Sequence, residues 1–308
     1  MSGNSQPGGT AAASLQPRHT AFSLARAGAI ARNTLTELIR LKVFYFLVIF
    51  ALLIIGNSAF MVRFSFQEEF QVLKDVAFGA MSIFSALLAI VATAFLLPND
   101  VEDRTLYTIL AKPVPRLDYL LGKLLGTLLL LAIAIATMFV MFMVVLTIRE
   151  QWVAADIRAE MAQAPPEVLA ARLDELRAAA FNWNLVPGVV IVFLKAALLS
   201  ALTLFISTFA TSGLFTVIIA AAVYFIGHLQ ATAREYWLGS MDISWLTRGF
   251  LALVSLVFPD LQLFNLVDDI VAGNEIAGGL FARTGGLGVL YVAVYFLLAY
   301  FVFAKKEL

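Results

Sequence analysis

The chain has 308 residues, of which 61% are hydrophobic, and its mean hydropathy is +0.91. This apolar share exceeds the roughly 45–50% of soluble domains and predicts an integral membrane protein. The formal net charge is +0 and there is no cysteine, so the composition argues against a nucleic-acid partner and excludes disulfides and thiolate chemistry.

Two features stand before the first long apolar run. Residues 1–20 are rich in Gly, Ser, Ala, Pro and Gln and lack the apolar region of a signal peptide, which predicts a disordered cytoplasmic tail. Residues 21–42 alternate apolar positions with Arg26, Arg32 and Arg40, a pattern typical of an interfacial helix with cations among lipid headgroups. We expect this helix to enter the first span as an elbow.

Six apolar runs are long enough to cross a bilayer at about 20 residues per crossing. They lie at 43–62, 76–97, 124–148, 185–208, 213–230 and 286–304. Residues 249–258 are apolar but too short to cross, and Pro259 ends them, so we expect an outer re-entrant helix pair within 231–284. The sequence thus predicts an all-α, six-span membrane domain over 21–308.

Charge distribution orients this topology. With both termini in the cytoplasm, the inner segments carry 11 Lys and Arg against 6 acidic residues, while the longer outer segments carry 9 against 15. This asymmetry agrees with the positive-inside rule. It predicts a multi-pass protein of the inner (plasma) membrane, with residues 98–123 cytoplasmic and residues 149–184 and 231–284 outside.

The inner segment 98–123 is charged and punctuated by prolines. Pro98 closes the preceding apolar run, and Asn99 is placed to cap a new helix. Apolar residues recur at helical spacing over 100–111, and Pro113 and Pro115 stop the pattern. We expect a short amphipathic helix lying flat at the membrane surface.

The outer segment 149–184 contains its own helix pattern. Pro165 and Pro166 are followed by Leu169, Leu173, Leu176 and Ala180, which predicts an amphipathic helix. Such a segment could bind an extracytoplasmic partner, but a packed cap over the spans is the simpler interpretation.

Motifs of several common chemistries are missing. The sequence contains no G-x-x-x-x-G-K-[ST] phosphate loop, no H-E-x-x-H and no G-x-S-x-G. Its two histidines, His19 and His228, are too few for a histidine metal cluster. We therefore expect no metal or other cofactor to be bound by this chain.

Polar residues within the spans are candidates for a transport pathway. Lys195 falls near the middle of the fourth predicted span, where an ionisable residue is a candidate functional residue. The alternative is that it snorkels or pairs within the bundle. Ser200 and Thr203 follow on the same span. They could line a pathway, but hydrogen bonding between helices is the commoner role of such residues.

The segment from Glu102 to Arg116, with its Thr-Leu pair, its Lys-Pro-Val run and the later Gly122-Lys123, resembles the first cytoplasmic loop of type 2 ABC exporter permeases. Residues 33–40 resemble the elbow helix of that family. Among its members, the chain is similar to the permease of nitrous-oxide-reductase maturation and to sodium- or drug-exporter-like permeases. The resemblance implies a separate ATPase that binds ATP and Mg, and a second permease copy, most simply as a homodimer.

We expect the helix over 100–111 to dock into a groove on the ATPase. Its apolar residues would be the anchors, and the acidic residues at one end fit a basic protein groove better than anionic lipid. The charged residues would add rim contacts. The predicted coupling residues are Glu102, Asp103, Arg104, Leu106, Ile109, Leu110, Lys112 and Arg116.

Two other functions fit the sequence less well. One is an intramembrane enzyme that uses Lys195, His228 and the Asp268/Asp269 pair, which would require these groups within hydrogen-bond reach. The other is a mechanotransmitting membrane anchor that acts on an extracytoplasmic partner without moving a solute.

Overall fold

A computed structural model describes residues 22–58, 66–102, 115–182, 184–238, 259–265 and 278–305. In these ranges all regular secondary structure is helical, as the composition predicts. The helices are α1 (Leu24–Ile39), α2 (Lys42–Asn57), α3 (Phe66–Ala94), α4 (Leu96–Glu102), α5 (Arg116–Glu160), α6 (Pro166–Ala180), α7 (Leu185–Phe209), α8 (Gly213–Leu238), a 3-10 turn (Leu261–Phe264) and α9 (Gly278–Lys305).

Membrane-crossing capacity can be judged from helix length and hydropathy in the described ranges. Four helical stretches qualify, and the bent pair of α1 and α2 makes a fifth if it is counted as one span. The apolar part of α8, Gly213–Leu229, is a shorter helix. The chain is therefore a multi-pass membrane protein, and the count of six spans stays a prediction.

Helix α7 lies at the centre of the bundle. It is apolar on all sides rather than on one face, which is typical of a buried helix, and it packs against α3, α5, α8 and α9. Its residues Leu198, Leu199, Ala201 and Leu204 are nearly or completely inaccessible. The other long helices surround it and expose their outer faces.

Helices α1 and α2 meet at an angle of 69°. The buried residues of α1 are Ala27, Ala31, Thr34 and Leu38, which recur every three or four positions and so define one face. Leu41 is extended between the two helices. A helix and a bend lie where the sequence predicts them, while the elbow itself, a helix at the membrane surface that enters the first span, stays a prediction.

The chain does not start a new helix at Asn99, so the predicted capping role of that residue is wrong. Helix α4 begins at Leu96, after a turn at Phe95, and the Asn99 N–H donates to the Phe95 carbonyl at 3.0 Å. Pro98 is tolerated because the first turn of a helix has no intrahelical acceptor for its N–H groups. Residues 1–21 and 103–114, which include the predicted tail and most of the predicted coupling helix, lie outside the described residues.

Helix α5 is much longer than the predicted span at 124–148. Its 45 residues correspond to roughly 68 Å at 1.5 Å per residue, about twice the hydrocarbon thickness of a bilayer. Buried residues occur along the helix from Asp118 to Ile157, so both extensions pack against other parts of the protein. Apolar length alone identified the middle of this helix and missed its polar ends.

The segment 149–184, which is predicted to lie outside, forms a helical hairpin from the end of α5 and from α6. Helix α6 starts at Pro166 as predicted, and its Leu176 and Ala180 are fully buried. The Lys74 ammonium of α3 donates to the Ala179 carbonyl at 2.6 Å, near the carboxyl end of α6. Arg149 forms an ion pair with Glu69 of α3. These contacts support the packed cap that the sequence favoured.

Within the predicted outer region 231–284, the structure describes 231–238 as the end of α8, 278–284 as the beginning of α9, and 259–265 between them. Leu261 and Phe264 are buried, and Asp260 accepts a hydrogen bond from the Gln262 N–H at 3.1 Å, which caps the 3-10 turn. The backbone at Pro259 lies so close to α8 that a Cβ added to Gly227 would be 2.8 Å from its carbonyl oxygen. The flanking segments 239–258 and 266–277, with Asp268 and Asp269, lie outside the described residues.

Candidate functional site

An ion pair joins the two helices that flank the segment 103–114. Asp100 lies near the end of α4 and Lys123 lies two turns into α5, and their Oδ2 and Nζ atoms are 2.7 Å apart. The Tyr119 hydroxyl also donates to Asp100 Oδ2. The two ends of the segment are therefore held together at one end of the bundle.

This ion pair is largely removed from solvent. Lys123 is 4% exposed, Asp100 9% and Tyr119 0%. Burying two charges is costly unless further hydrogen bonds satisfy them. The tyrosine hydroxyl meets that need for Asp100, and Glu37 of α1, with Oε2 at 3.5 Å from Lys123 Nζ, provides a second carboxylate. The cluster thus connects α1, α4 and α5.

Helix α1 approaches α5 closely at two glycines. A Cβ added to Gly122 would lie 2.6 Å from Ile30 Cβ, and one added to Gly126 would lie 2.6 Å from Thr34 Cβ. Both separations are too short for real carbon atoms. Since the contact advances by four residues on each helix, α1 and α5 run in the same direction here, as in other small-x-x-x-small helix pairs.

A second ion pair attaches the beginning of α1. Arg26 Nε donates to Asp118 Oδ2 at 2.9 Å, and the Ser23 backbone N–H donates to the same oxygen at 3.3 Å. Asp118 is fully buried in the first turn of α5, where a carboxylate also interacts favourably with the helix dipole. Both halves of α1 are therefore fixed to α5.

Arg116 connects α5 to the last helix. Its Nη1 donates to the carbonyl oxygens of Phe303 at 2.9 Å and Ala304 at 2.6 Å, in the final turn of α9. The Tyr119 and Phe303 rings stack beside it with centroids 5.8 Å apart. A cation at a helix carboxyl end satisfies acceptors that have no partner within the helix. Arg116 was predicted to contact the ATPase, and the structure shows contacts within its own chain.

The other predicted coupling residues are less well defined. Glu102 is the last residue of α4. The remaining ones lie outside the described residues: Asp103, Arg104, Leu106, Ile109, Leu110 and Lys112. The site that the structure describes is therefore the base from which the predicted coupling helix extends.

The predicted pathway residues lie deep in the bundle. The hydroxyls of Ser200 and Thr93 share a hydrogen bond at 3.0 Å between α7 and α3, and the Thr203 hydroxyl donates to the Leu199 carbonyl at 2.7 Å. Ser200 and Thr203 are both 0% exposed. These contacts correspond to the helix-bonding role that the sequence also allowed, and a pathway role for them stays a prediction.

Lys195 contacts His228, which the hypothesis of an intramembrane enzyme also requires. Its Nζ lies 3.0 Å from His228 Nε2, within hydrogen-bond reach. Asp268 and Asp269, the other two groups required, lie outside the described residues. Within the described ranges, no group of three or more His, Cys, Asp or Glu residues is arranged to hold a metal ion.

Several residues of the site were not singled out for their roles by the sequence alone. Asp118 and Tyr119 were not singled out, and Asp100 was only the first residue of the predicted helix over 100–111. A usable signal was nevertheless present, since Ala27 and Ala31 share the four-residue spacing of Gly122 and Gly126. Two such small-residue pairs on different helices predict close helix packing.

Comparison with known protein families gives a match over nearly the whole chain. The family described as ABC-2 family transporter protein matches residues 28–308. The matched part includes every element of the site described above, except the first residues of α1. A search of curated proteins found no match.

Proposed function

This chain belongs to the ABC-2 transporter family and is a membrane permease of an ABC transporter, and we propose that it couples hydrolysis by a separate ATPase to substrate export. Members of this family are membrane subunits rather than ATPases. The missing phosphate loop agrees with a separate ATPase, because nothing else in the sequence is suited to hold a triphosphate.

The observation that carries the proposal is the attachment of both ends of the segment 103–114 to the rest of the bundle. At one end Asp100 binds Lys123, and at the other Arg116 binds the final turn of α9. Helix α1 is bound to the same part of α5 through Asp118. A force on the segment would therefore reach α1, α4, α5 and α9 without a flexible linker in between.

The segment itself supplies the docking surface in this proposal. Leu106, Ile109 and Leu110 are the apolar anchors, and Glu102 and Asp103 face a basic groove on the ATPase. Arg104 and Lys112 contribute at the rim. Since Arg116 is already engaged with α9, its part is to transmit the displacement rather than to bind the ATPase.

The assembly follows from the same reasoning. Two copies of the chain pair with two ATPases, so that each coupling segment has a partner. The chain lies in the inner membrane with both termini in the cytoplasm, on the side where ATP is available. Contacts within the described residues support a common side for the coupling segment and the end of α9, because Arg116 reaches Ala304.

A double substitution tests the docking surface. Leu106→Asp with Leu110→Asp should leave membrane insertion intact and abolish co-purification of the ATPase with the tagged chain, since two charges replace the apolar anchors. Val168→Asp is the matched control, because Val168 is 50% exposed on α6 at the opposite end of the bundle. Unchanged ATPase recovery and transport in the double variant would refute the coupling role of this segment.

A further inference from the structure

Lys195 is a buried cation that the coupling site does not use. It is the eleventh residue of α7, about 15 Å along the helix, and 7% exposed. Its ammonium donates to Ser82 Oγ of α3 at 3.2 Å and approaches His228 Nε2 of α8 at 3.0 Å. Three helices therefore converge on this one charged group.

The hydrogen bonds of His228 define its protonation. Its Nδ1 lies 3.0 Å from the Tyr224 carbonyl oxygen, which can accept but not donate a hydrogen bond. Nδ1 therefore carries a proton, and because a lysine amine is a much stronger base than an imidazole, the charge of the pair lies on Lys195 and Nε2 accepts from it. This arrangement assigns the positive charge to Lys195 and leaves the imidazole neutral.

The charge of Lys195 has no carboxylate partner among the described residues. Its oxygen and nitrogen contacts there are the neutral groups of Ser82 and His228, and the Tyr224 ring, with its centroid at 6.0 Å, adds a weak cation–π contact. A cation within a membrane span is expensive unless an anion or water compensates it. Within the described part of the chain, the charge of Lys195 is thus not compensated.

The surroundings of the ammonium are suited to receive an anion. Ser82, Tyr224 and His228 are each partly exposed, so the group is not sealed on all sides. Lys195 has a third N–H, and the Ser82 hydroxyl hydrogen is used by no hydrogen bond in the described part of the chain. Two donors can therefore converge on one ligand oxygen.

The Gln262 side chain donates to the His228 carbonyl at 3.2 Å and holds the residues 259–265 beside α8.

The geometry points to a binding site for a carboxylate or phosphate group at Lys195 and Ser82. The anion accepts hydrogen bonds from both residues and neutralises the ammonium, while His228 holds the lysine in position. The group can belong to an amphiphile that enters from the membrane or to a soluble anion that enters from water. The inference concerns binding by this chain and does not depend on coupling to an ATPase.

Binding measurements on the purified full-length chain in an uncharged detergent can test this site. The probes are radiolabelled laurate, an aliphatic carboxylate, and inorganic phosphate, each followed by equilibrium dialysis. We expect Lys195→Met to weaken binding at least about tenfold and Ser82→Ala to weaken it less, because charge-assisted hydrogen bonds are stronger than neutral ones. Lys195→Arg should retain most of the affinity.

Lys74→Met provides the matched control. Lys74 is another buried lysine on a long helix, but its ammonium donates to the Ala179 carbonyl at the far end of α6. Its replacement should leave probe binding unchanged. If Lys195→Met does not elute as a folded species in gel filtration, Ser82→Ala and Lys195→Arg decide the question alone.

The outcomes separate the two sources of the anion. Binding of laurate without phosphate indicates a membrane-borne amphiphile, whereas binding of both indicates access from water. Wild-type protein that binds neither probe, as expected if a carboxylate outside the described residues already pairs with Lys195, would overturn the proposal. Equal affinity of the wild type, Lys195→Met and Ser82→Ala would do the same. Loss of ATPase co-purification has no bearing on these results.

Discussion

Asp100 and Lys123 lie 23 residues apart in the sequence and form a buried ion pair with an N–O distance of 2.7 Å. One residue precedes the segment 103–114 and the other follows it. The pair joins the two helices at the base of that segment. The Tyr119 hydroxyl donates to Asp100, and Glu37 places a second carboxylate oxygen 3.5 Å from the Lys123 ammonium. The stability of this region and the transmission of force through it are therefore expected to depend on the same few side chains.

Removal of one partner of this pair should be strongly destabilising. Lys123→Met removes the ammonium that lies 2.7 Å from the buried Asp100 carboxylate, at a cost of about 3–5 kcal/mol of unfolding free energy. The double variant Lys123→Met/Asp100→Asn should lose less than the sum of the two single losses. Thermal and denaturant unfolding in detergent would measure this coupling.

An exposed ion pair gives the control for that experiment. Arg172 and Glu175 are 2.8 Å apart on the surface of α6, so Arg172→Met should change the unfolding free energy by less than about 1 kcal/mol. Equal effects of Lys123→Met and Arg172→Met would show that the buried pair has no special role.

Close contact between α1 and α5 should not tolerate a side chain at Gly122. The added methyl group of Gly122→Ala would overlap Ile30 and the Ala27 carbonyl, and we expect a loss of about 1–3 kcal/mol. Gly79→Ala is the matched control, since no atom lies within 4 Å of its added Cβ. That control should be neutral or stabilising, because alanine favours a helix over glycine. A neutral Gly122→Ala variant would contradict the observed packing.

Arg116 should stabilise the final turn of α9 against local unfolding. Arg116→Gln removes the charged donor from the Phe303 and Ala304 carbonyls, and we expect the free energy of local opening to fall by about 1–2 kcal/mol. Faster hydrogen exchange in a peptide covering 296–305 would report the change. The exposed Arg32 on α1 offers a control, because Arg32→Gln should leave exchange at α9 unaltered.

The sidedness of the helix ends can be tested by chemical labelling. The chain has no cysteine, so single substitutions are unambiguous. Leu110→Cys and Lys305→Cys should react only from the cytoplasm, and Val168→Cys only from outside. Labelling of Lys305→Cys and Val168→Cys from the same side would contradict the packing of Arg116 on the end of α9, and external labelling of Leu110→Cys would contradict the proposed orientation.

Local sequence patterns were sufficient to predict several of the helices. The composition predicted a helical membrane protein, because apolar runs of that length have few alternatives. The spacing of Leu176 and Ala180 predicted the buried face of α6, and Pro166 marked its first residue. Each of these inferences uses information contained within one helix, namely hydropathy, periodicity and the conformational limits of proline.

Only the tertiary structure showed which residues of different helices contact one another. Hydropathy could not show that α5 continues through polar residues at both ends, since those residues are stabilised by Arg26, Glu69 and other groups far away in sequence. Nor could it show that Lys195 meets His228, or that Arg116 caps α9. Such pairings depend on how closely the helices approach one another. Between α1 and α5 that distance is set by Gly122 and Gly126, which lie against Ile30, Thr34 and the carbonyl oxygens of Ala27 and Ala31, and these groups meet only when the two helices pack together.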